Sequence, residues 1–362
     1  MAPTRVRRQH VVSKFYLKGF AKESRLLTKT VIPGKISHPI SVNDATVNTD
    51  YYSVELEDGT LSDVFETAFS EIEGPASGAF RGLLATPVVF PNGDGRQALS
   101  AWIALQYLRS PAIRAQRNEL HANLMRVVVG VVGKAGLRNF IQEREGITIS
   151  DARVDAEWSD LTKPGGPTTR ARAENHIMNV FELLPETTER LYNGRWMAIN
   201  FNRKTLVAGD HPVFLMRDPD APSWHGVGLE NADAFGLSLS RHRGLVIFTG
   251  DGEPGSDIMA PGTAVEARTL NAQTIQNARA AIYHHPDDDP VSWFEGSLPD
   301  PRQTELTAGM DGLIMPDAEG YPAPARDVGD TIDPDGLSLA NLVWPIRDRI
   351  FVWTEPGLEV PS

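Results

Sequence analysis

Apolar positions along the chain change period near residue 194, and that change divides it into a helical half and a strand-rich half. The opening stretch Arg8–Phe20 sets a polar pair, Gln9 and His10, ahead of an aromatic-rich amphipathic turn. Read as helix over Gln9–Phe20, it places His10, Lys14 and Leu17 on one face. Leu26–Val31 and Pro39–Val42 read as strands around a Pro33-Gly34 turn. Asn43–Asp50 reads as loop and Tyr51–Leu56 as strand. From Thr60 to Leu84, Leu61, Val64, Phe65, Ala68, Phe69 and Ile72 recur at helical spacing, with Gly74-Pro75 expected to kink or break the helix. Further helices are predicted over Arg96–Arg109, from Ser110-Pro111 to about Gly130, over Leu137–Glu145 and over Ala171–Leu191.

Beyond Gly194, the segments Trp196–Phe201, Thr205–Ala208, Val213–Met216, Ala234–Leu239 and Leu245–Phe248 read as short antiparallel strands. Val265–Tyr283 reads as a closing helix. The expected class is α+β, a helical N-terminal half packed on an antiparallel sheet. The expected organisation is one domain over 1–283, an acidic, proline-rich loop or linker over 284–336, and an apolar segment over 337–362 that docks back.

Charge sharpens this division. The net charge is −12, but 284–335 alone holds thirteen acidic residues, two basic ones and eight prolines. The body is therefore close to neutral. It lacks the basic excess of a duplex DNA binder and remains compatible with a phosphate-containing or other anionic ligand. The chain has no cysteine, which excludes disulfides, thiol nucleophiles and Cys-ligated metal. No apolar run approaches the roughly 20 residues of a membrane span. No leader pattern opens the chain, so a cytoplasmic location is expected. No nucleotide-cofactor motif is present.

The candidate chemistry lies in polar residues set among apolar ones. His10 suits general acid–base work or metal binding; the alternative is a structural hydrogen bond. Trp102, Gln106 and Arg109 fall at i, i+4 and i+7. The Arg109 fork suits a phosphate or carboxylate, or else an internal partner such as Glu66, Glu73 or Asp210. Glu66 and Glu73, seven apart on one helix, are weak candidates for a divalent metal. Asp210 ends an apolar strand in Gly209-Asp210-His211-Pro212, as a site carboxylate or a turn former. The His284-His285-Pro286-Asp287-Asp288-Asp289 run reads as a solvated loop.

The order Gln9-His10-(x5)-Tyr16-Leu17-(x2)-Phe20, Tyr51-Tyr52, Glu66, Glu73, Gln106-(x2)-Arg109-Ser110-Pro111, Gly209-Asp210-His211-Pro212 and Asn271-(x6)-Ala278-Arg279 resembles the bacterial DUF4238 family over roughly residues 8–283. The resemblance implies that His10, Gln106, Arg109 and Asp210 are signature positions and brings no established activity. Ser13 stands where that family usually has proline, and His211 where it has asparagine. The first departure is expected to affect only helix entry. Three functions follow as expectations. The first is hydrolysis of a phosphate-containing substrate, as in a nuclease-like effector or toxin, with His10, Arg109 and Asp210 converging and Gln106 and Glu73 assisting. The second is a non-catalytic module that binds an anion. The third is an internal polar network joining the two halves.

Overall fold

The computed structural model describes residues 7–32, 36–55, 61–163, 173–216, 227–249, 256–294, 298–299, 314–316 and 322–324. The chain forms two compact units. The first gathers 1–114, 172–220 and 227–302, and the second 115–171, 221–226 and 303–362.

The first unit opens with β1 (Arg8–His10), α1 (Lys14–Leu17) and a 3-10 turn over Lys18–Phe20. Strands β2 (Leu26–Val31), β3 (Ser37–Ser41) and β4 (Val47–Thr49) follow, then the short pair β5 (Val54–Glu55) and β6 (Leu61–Ser62). The opening stretch is thus not one helix. Gln9 sits in β1, paired antiparallel with β4 inside the segment expected to be loop. His10 therefore does not share a helix face with Lys14. The β-branched pair Val11-Val12 follows, both buried, and favours the extended chain. Within the expected strand Tyr51–Leu56, Val54–Glu55 form strand and Tyr51 and Tyr52 lie in a turn, while Leu56 lies outside the described residues.

Helix α2 (Val64–Leu84) continues unbroken across Pro75. Gly74 and Pro75 are exposed, so the carbonyl that proline leaves free can turn to water. Phe69, Ala76, Phe80 and Leu83 meanwhile bury the opposite stripe. Helix α3 (Gly93–Leu108) contacts α2 and α6 (Ala173–Asn193); between them in sequence come α4 (Pro111–Glu145) and α5 (Asp151–Thr162). Trp102 anchors the core here, with Phe15, Tyr16 and Phe80 rings 5.0, 5.8 and 5.5 Å away. Burying each such side chain contributes about 1.5–3 kcal/mol. Arg96 clasps α3 to the end of α6. It donates to the Tyr192 carbonyl at 2.7 Å, the Gly194 carbonyl at 2.6 Å and the Asp257 carboxylate at 2.5 Å, and lies 4.6 Å from the Trp196 ring centre.

The strand-rich half forms two sheets rather than one antiparallel set. β7 (Arg195–Asn200), β8 (Ala208–Gly209), β9 (Val213–Met216), β10 (Ala234–Ser240), β11 (Arg243–Phe248) and β12 (Ile258–Pro261) precede α7 (Ala264–Asn277), β13 (Ala281–His284) and α8 (Pro290–Trp293). One sheet has the order β12-β7-β11-β10-β9, with β12 parallel to β7 and the remaining pairs antiparallel. The other runs β3-β2-β13-β8 and is wholly antiparallel.

The expected closing helix Val265–Tyr283 ends at Asn277, and its last residues form β13. Residues just past 283, expected to be loop, also belong to this packing. Buried His284 bonds Thr30 Oγ1 at 2.9 Å, Asp288 pairs with Arg241 at 2.6 Å, and Phe294 and Leu298 pack with Ile32, Val207, Ile275 and Ile282. The apolar segment over 337–362 lies outside the described residues.

In the second unit, positive φ at Gly133 (65°) breaks α4. Leu137, Ile141, Ile149, Val154 and Trp158 form its buried cluster. Ser150 caps α5, accepting from the Arg153 amide at 3.3 Å.

Candidate functional site

Gln9 shows how the N-terminal segment is held. Its side chain is fully buried, accepts from the Tyr52 amide at 2.6 Å and donates to Ser53 Oγ at 3.4 Å. It thus satisfies backbone that would otherwise be stranded. Ser13 occupies the N-cap position of α1, yet its hydroxyl makes no capping bond. Its Oγ instead accepts from Trp102 Nε1 at 2.8 Å and Arg109 Nη2 at 3.2 Å, and donates to Glu73 Oε1 at 2.8 Å. The expectation that Ser13 matters only for helix entry is therefore corrected: it is the hub of a buried polar network.

Helix α3 delivers Trp102 and Gln106 on one face, and Arg109 follows at its C-cap. Helix α2 delivers Glu73 and Phe69 opposite. Arg109 Nη2 meets Glu73 Oε1 at 2.5 Å, and its guanidinium lies 5.4 Å from the Phe69 ring centre. The Arg109 side chain is 1% exposed and that of Glu73 28%, so the pair reaches solvent only on the Glu73 side. With the Gln106 amide oxygen turned toward the guanidinium, it accepts from Arg109 Nε at 3.1 Å and also from Nη2. The Arg109 carbonyl accepts from the Tyr52 hydroxyl at 3.1 Å. Burial pulls the guanidinium down, but Glu73, Tyr52 and Glu66 outweigh it and its pKa is raised. Arg109 thus adopts the internal-partner alternative, with Glu73 as partner.

Ser13→Ala is expected to cost about 2 kcal/mol, because it leaves the buried Trp102 indole N–H without an acceptor. Chemical denaturation of both proteins checks this.

His10 and Glu66 lie outside these bonds. His10 Nε2 contacts the Asn43 carbonyl at 3.2 Å. A carbonyl only accepts, so Nε2 carries the proton and Nδ1 is left as the basic nitrogen. Burial holds the imidazole below its usual range and the Lys14 charge acts the same way, while Glu73 opposes them. Glu66 is half-buried, and its Oε2 is out of solvent with no hydrogen-bond partner. Burial pushes its carboxyl up, Arg109 opposes this, and Glu73 and Asp63 add to it. Glu73 is committed to Arg109 and Ser13, and no group of three or more His, Asp or Glu gathers for a metal among the described residues.

Asp210 follows β8. Its Oδ1 accepts from the Arg279 amide at 2.8 Å, and its Oδ2 from the amides of Ala280 at 2.8 Å and Ala281 at 3.2 Å. Burial pushes the carboxyl up and these amides pull it back. Among the described residues, no hydrogen bond or ion pair joins Asp210 to His10, Gln106 or Arg109. Asn271 and Asn277 act in kind. Asn271 accepts from the Val207 amide at 3.0 Å, and Asn277 donates to the carbonyls of His211 at 2.8 Å and Val213 at 2.9 Å. The motifs around 210 and 271–279 therefore splice backbone. The sequence signal missed here was the match between a strand-end Asp and a distant turn with free amides.

Gln9, His10, the Gln106–Arg109 pair and the Asp210 turn all fall in the first compact unit. The family model described as "Protein of unknown function (DUF4238)" matches residues 8–288, and the chain belongs to that family. No curated protein and no solved structure matches the sequence. Among the described residues, no helix is long and apolar enough to cross a membrane.

Proposed function

We propose that the chain is a hydrolase of phosphate esters, with Glu66 as proton donor and His10 as proton acceptor beside the Arg109–Glu73 pair. The observation that carries this reading is the opposite displacement of two groups that both feel the charges of Glu73 and Lys14. Burial raises a carboxyl whose Oε2 has no partner, and burial lowers an imidazole whose Nδ1 is free to accept. A carboxyl inclined to stay protonated and an imidazole inclined to stay neutral are the forms that proton transfer requires.

In the reaction, His10 takes a proton from water as its oxygen bonds to phosphorus. Glu66 protonates the leaving oxygen as the P–O ester bond breaks. Arg109 anchors Glu73 instead of meeting the substrate, which changes the role first expected of it. Asp210 shapes a turn and takes no part in the chemistry.

Chromogenic phosphate mono- and diesters, RNA and DNA, assayed across acidic to neutral pH, test the proposal. The wild type is expected to show a bell-shaped profile. Glu66→Gln should lose the alkaline limb and His10→Ala the acidic limb, each with about a 100-fold loss of rate. Absence of turnover in the wild type, or wild-type profiles in both variants, overturns the proposal. Equal nucleic-acid integrity with wild type and His10→Ala removes the nuclease version.

A further inference from the structure

We propose that Ser37, Thr30 and His284 form a reactive centre separate from the His10 region, with Ser37 as nucleophile toward a carboxylic ester that carries an apolar acyl group. Three strands bring them together. Ser37 opens β3, the edge strand of its sheet among the described residues, and is exposed. Thr30 on β2 is its register partner and is fully buried. His284 ends β13, beyond Ile282, which stands opposite Thr30, and is buried too. Their side chains form one line of hydrogen bonds. Ser37 Oγ lies 2.8 Å from Thr30 Oγ1, and Thr30 Oγ1 lies 2.9 Å from His284 Nε2.

The far side of the imidazole sets the direction of every proton in that line. His284 Nδ1 lies 3.0 Å from the His285 carbonyl, which only accepts, so Nδ1 carries the ring proton. The Asp288 amide holds the same carbonyl at 3.0 Å. Nε2 of the neutral ring is then the acceptor, Thr30 donates to it, and Ser37 donates to Thr30. Burial holds the imidazole below its usual range, while the His285 carbonyl, Asp288 and Asp289 oppose this. An exposed hydroxyl is thus joined through a buried one to a basic nitrogen whose ring a third group orients, and that is the arrangement that activates a serine.

The neighbours of the line point to the acyl group. Ile282 shares a face of the sheet with Thr30 and packs in an apolar cluster with Ile32, Phe294 and Leu298, to which partly buried Val291 and Trp293 add. Such a wall favours an apolar acyl group over a charged one. In the reaction, Ser37 Oγ bonds to the ester carbonyl carbon. Its proton passes to Thr30 Oγ1 as the Thr30 proton passes to His284 Nε2. The ester C–O bond then breaks, and the imidazolium returns a proton along the same line to the departing alcohol. Water, deprotonated by the same route, hydrolyses the acyl-serine. No step uses His10, Glu66 or Arg109.

The test treats the full chain with an alkyl fluorophosphonate, which modifies activated serines with loss of fluoride, and locates the label by peptide mass spectrometry. Ser37 should be labelled about 100-fold faster than the exposed Ser24, the lower end of what a positioned base contributes. Thr30→Val keeps the shape of the side chain and removes the relay; it should slow Ser37 labelling about 100-fold, and Thr30→Ser should restore it. Ser37→Ala, at an exposed position, should abolish hydrolysis of p-nitrophenyl butyrate. Labelling of Ser37 no faster than of Ser24 overturns the proposal without any variant. So does wild-type labelling in Thr30→Val, or butyrate turnover that survives Ser37→Ala. None of these results touches the pH profiles that test Glu66 and His10.

Discussion

Replacing Glu73 by alanine is expected to lower the unfolding free energy by about 3 kcal/mol, the lower end of the range for breaking a buried ion pair. The cost comes from what stays behind. Arg109 is 1% exposed and cannot swing its charge into water. Without Glu73 its hydrogen-bond acceptors are all neutral, Ser13 Oγ and the Gln106 oxygen beside the face of Phe69, and Glu66 supports its charge only from a distance. Glu73 is 28% exposed, so water can partly replace its carboxylate, which sets the estimate below the cost of a fully enclosed pair. Removing both charges at once, as in Arg109→Leu with Glu73→Leu, should cost less than the two single changes together. Denaturant unfolding monitored through the buried tryptophans reads all of these values.

Asp210→Ala is expected to cost about 3 kcal/mol by a different route, through amides that lose their acceptor. Three backbone N–H groups end on this one carboxylate. Arg279 and Ala280 are exposed and recover water, whereas Ala281 is buried in β13 and does not. Hydrogen exchange should therefore accelerate most at the Ala281 amide. Asp210→Asn keeps one acceptor oxygen and should lose less stability than alanine.

Helices α2, α3 and α6 were legible because their periodicity is strong and local, whereas α5 (Asp151–Thr162) was not read from the sequence. The stripe of Phe69, Ala76, Phe80 and Leu83 specifies α2 despite Gly74-Pro75, and packing outweighs the proline because it falls on the exposed face. The face carrying Trp102, Gln106 and Arg109 was legible from spacing alone, and Glu73 was one of three internal carboxylates, with Glu66 and Asp210, expected as alternatives for a buried Arg109. What escaped the sequence depends on contacts far apart in the chain. Ser13 reads as a residue that affects only helix entry until α3, 89 residues on, brings Trp102 to its hydroxyl. The helical pattern of α7 continues past Asn277, and the Asp210 carboxylate, 69 residues before Arg279, holds the turn that leads into β13. A strand-end Asp beside a Gly and a Pro gives the same sequence signal whether it faces a substrate or caps a turn.

The Arg109–Glu73 pair is the point on which the assignment of roles depends, and a double-mutant cycle on it is the most direct measurement. Unfolding free energies of the wild type, Arg109→Leu, Glu73→Leu and the double variant give the coupling between the two side chains. The expected value is about 2 kcal/mol or more, the size found for groups joined in one buried network. A coupling near zero would contradict the structural role of the pair and return Arg109 to the side chains available for a ligand.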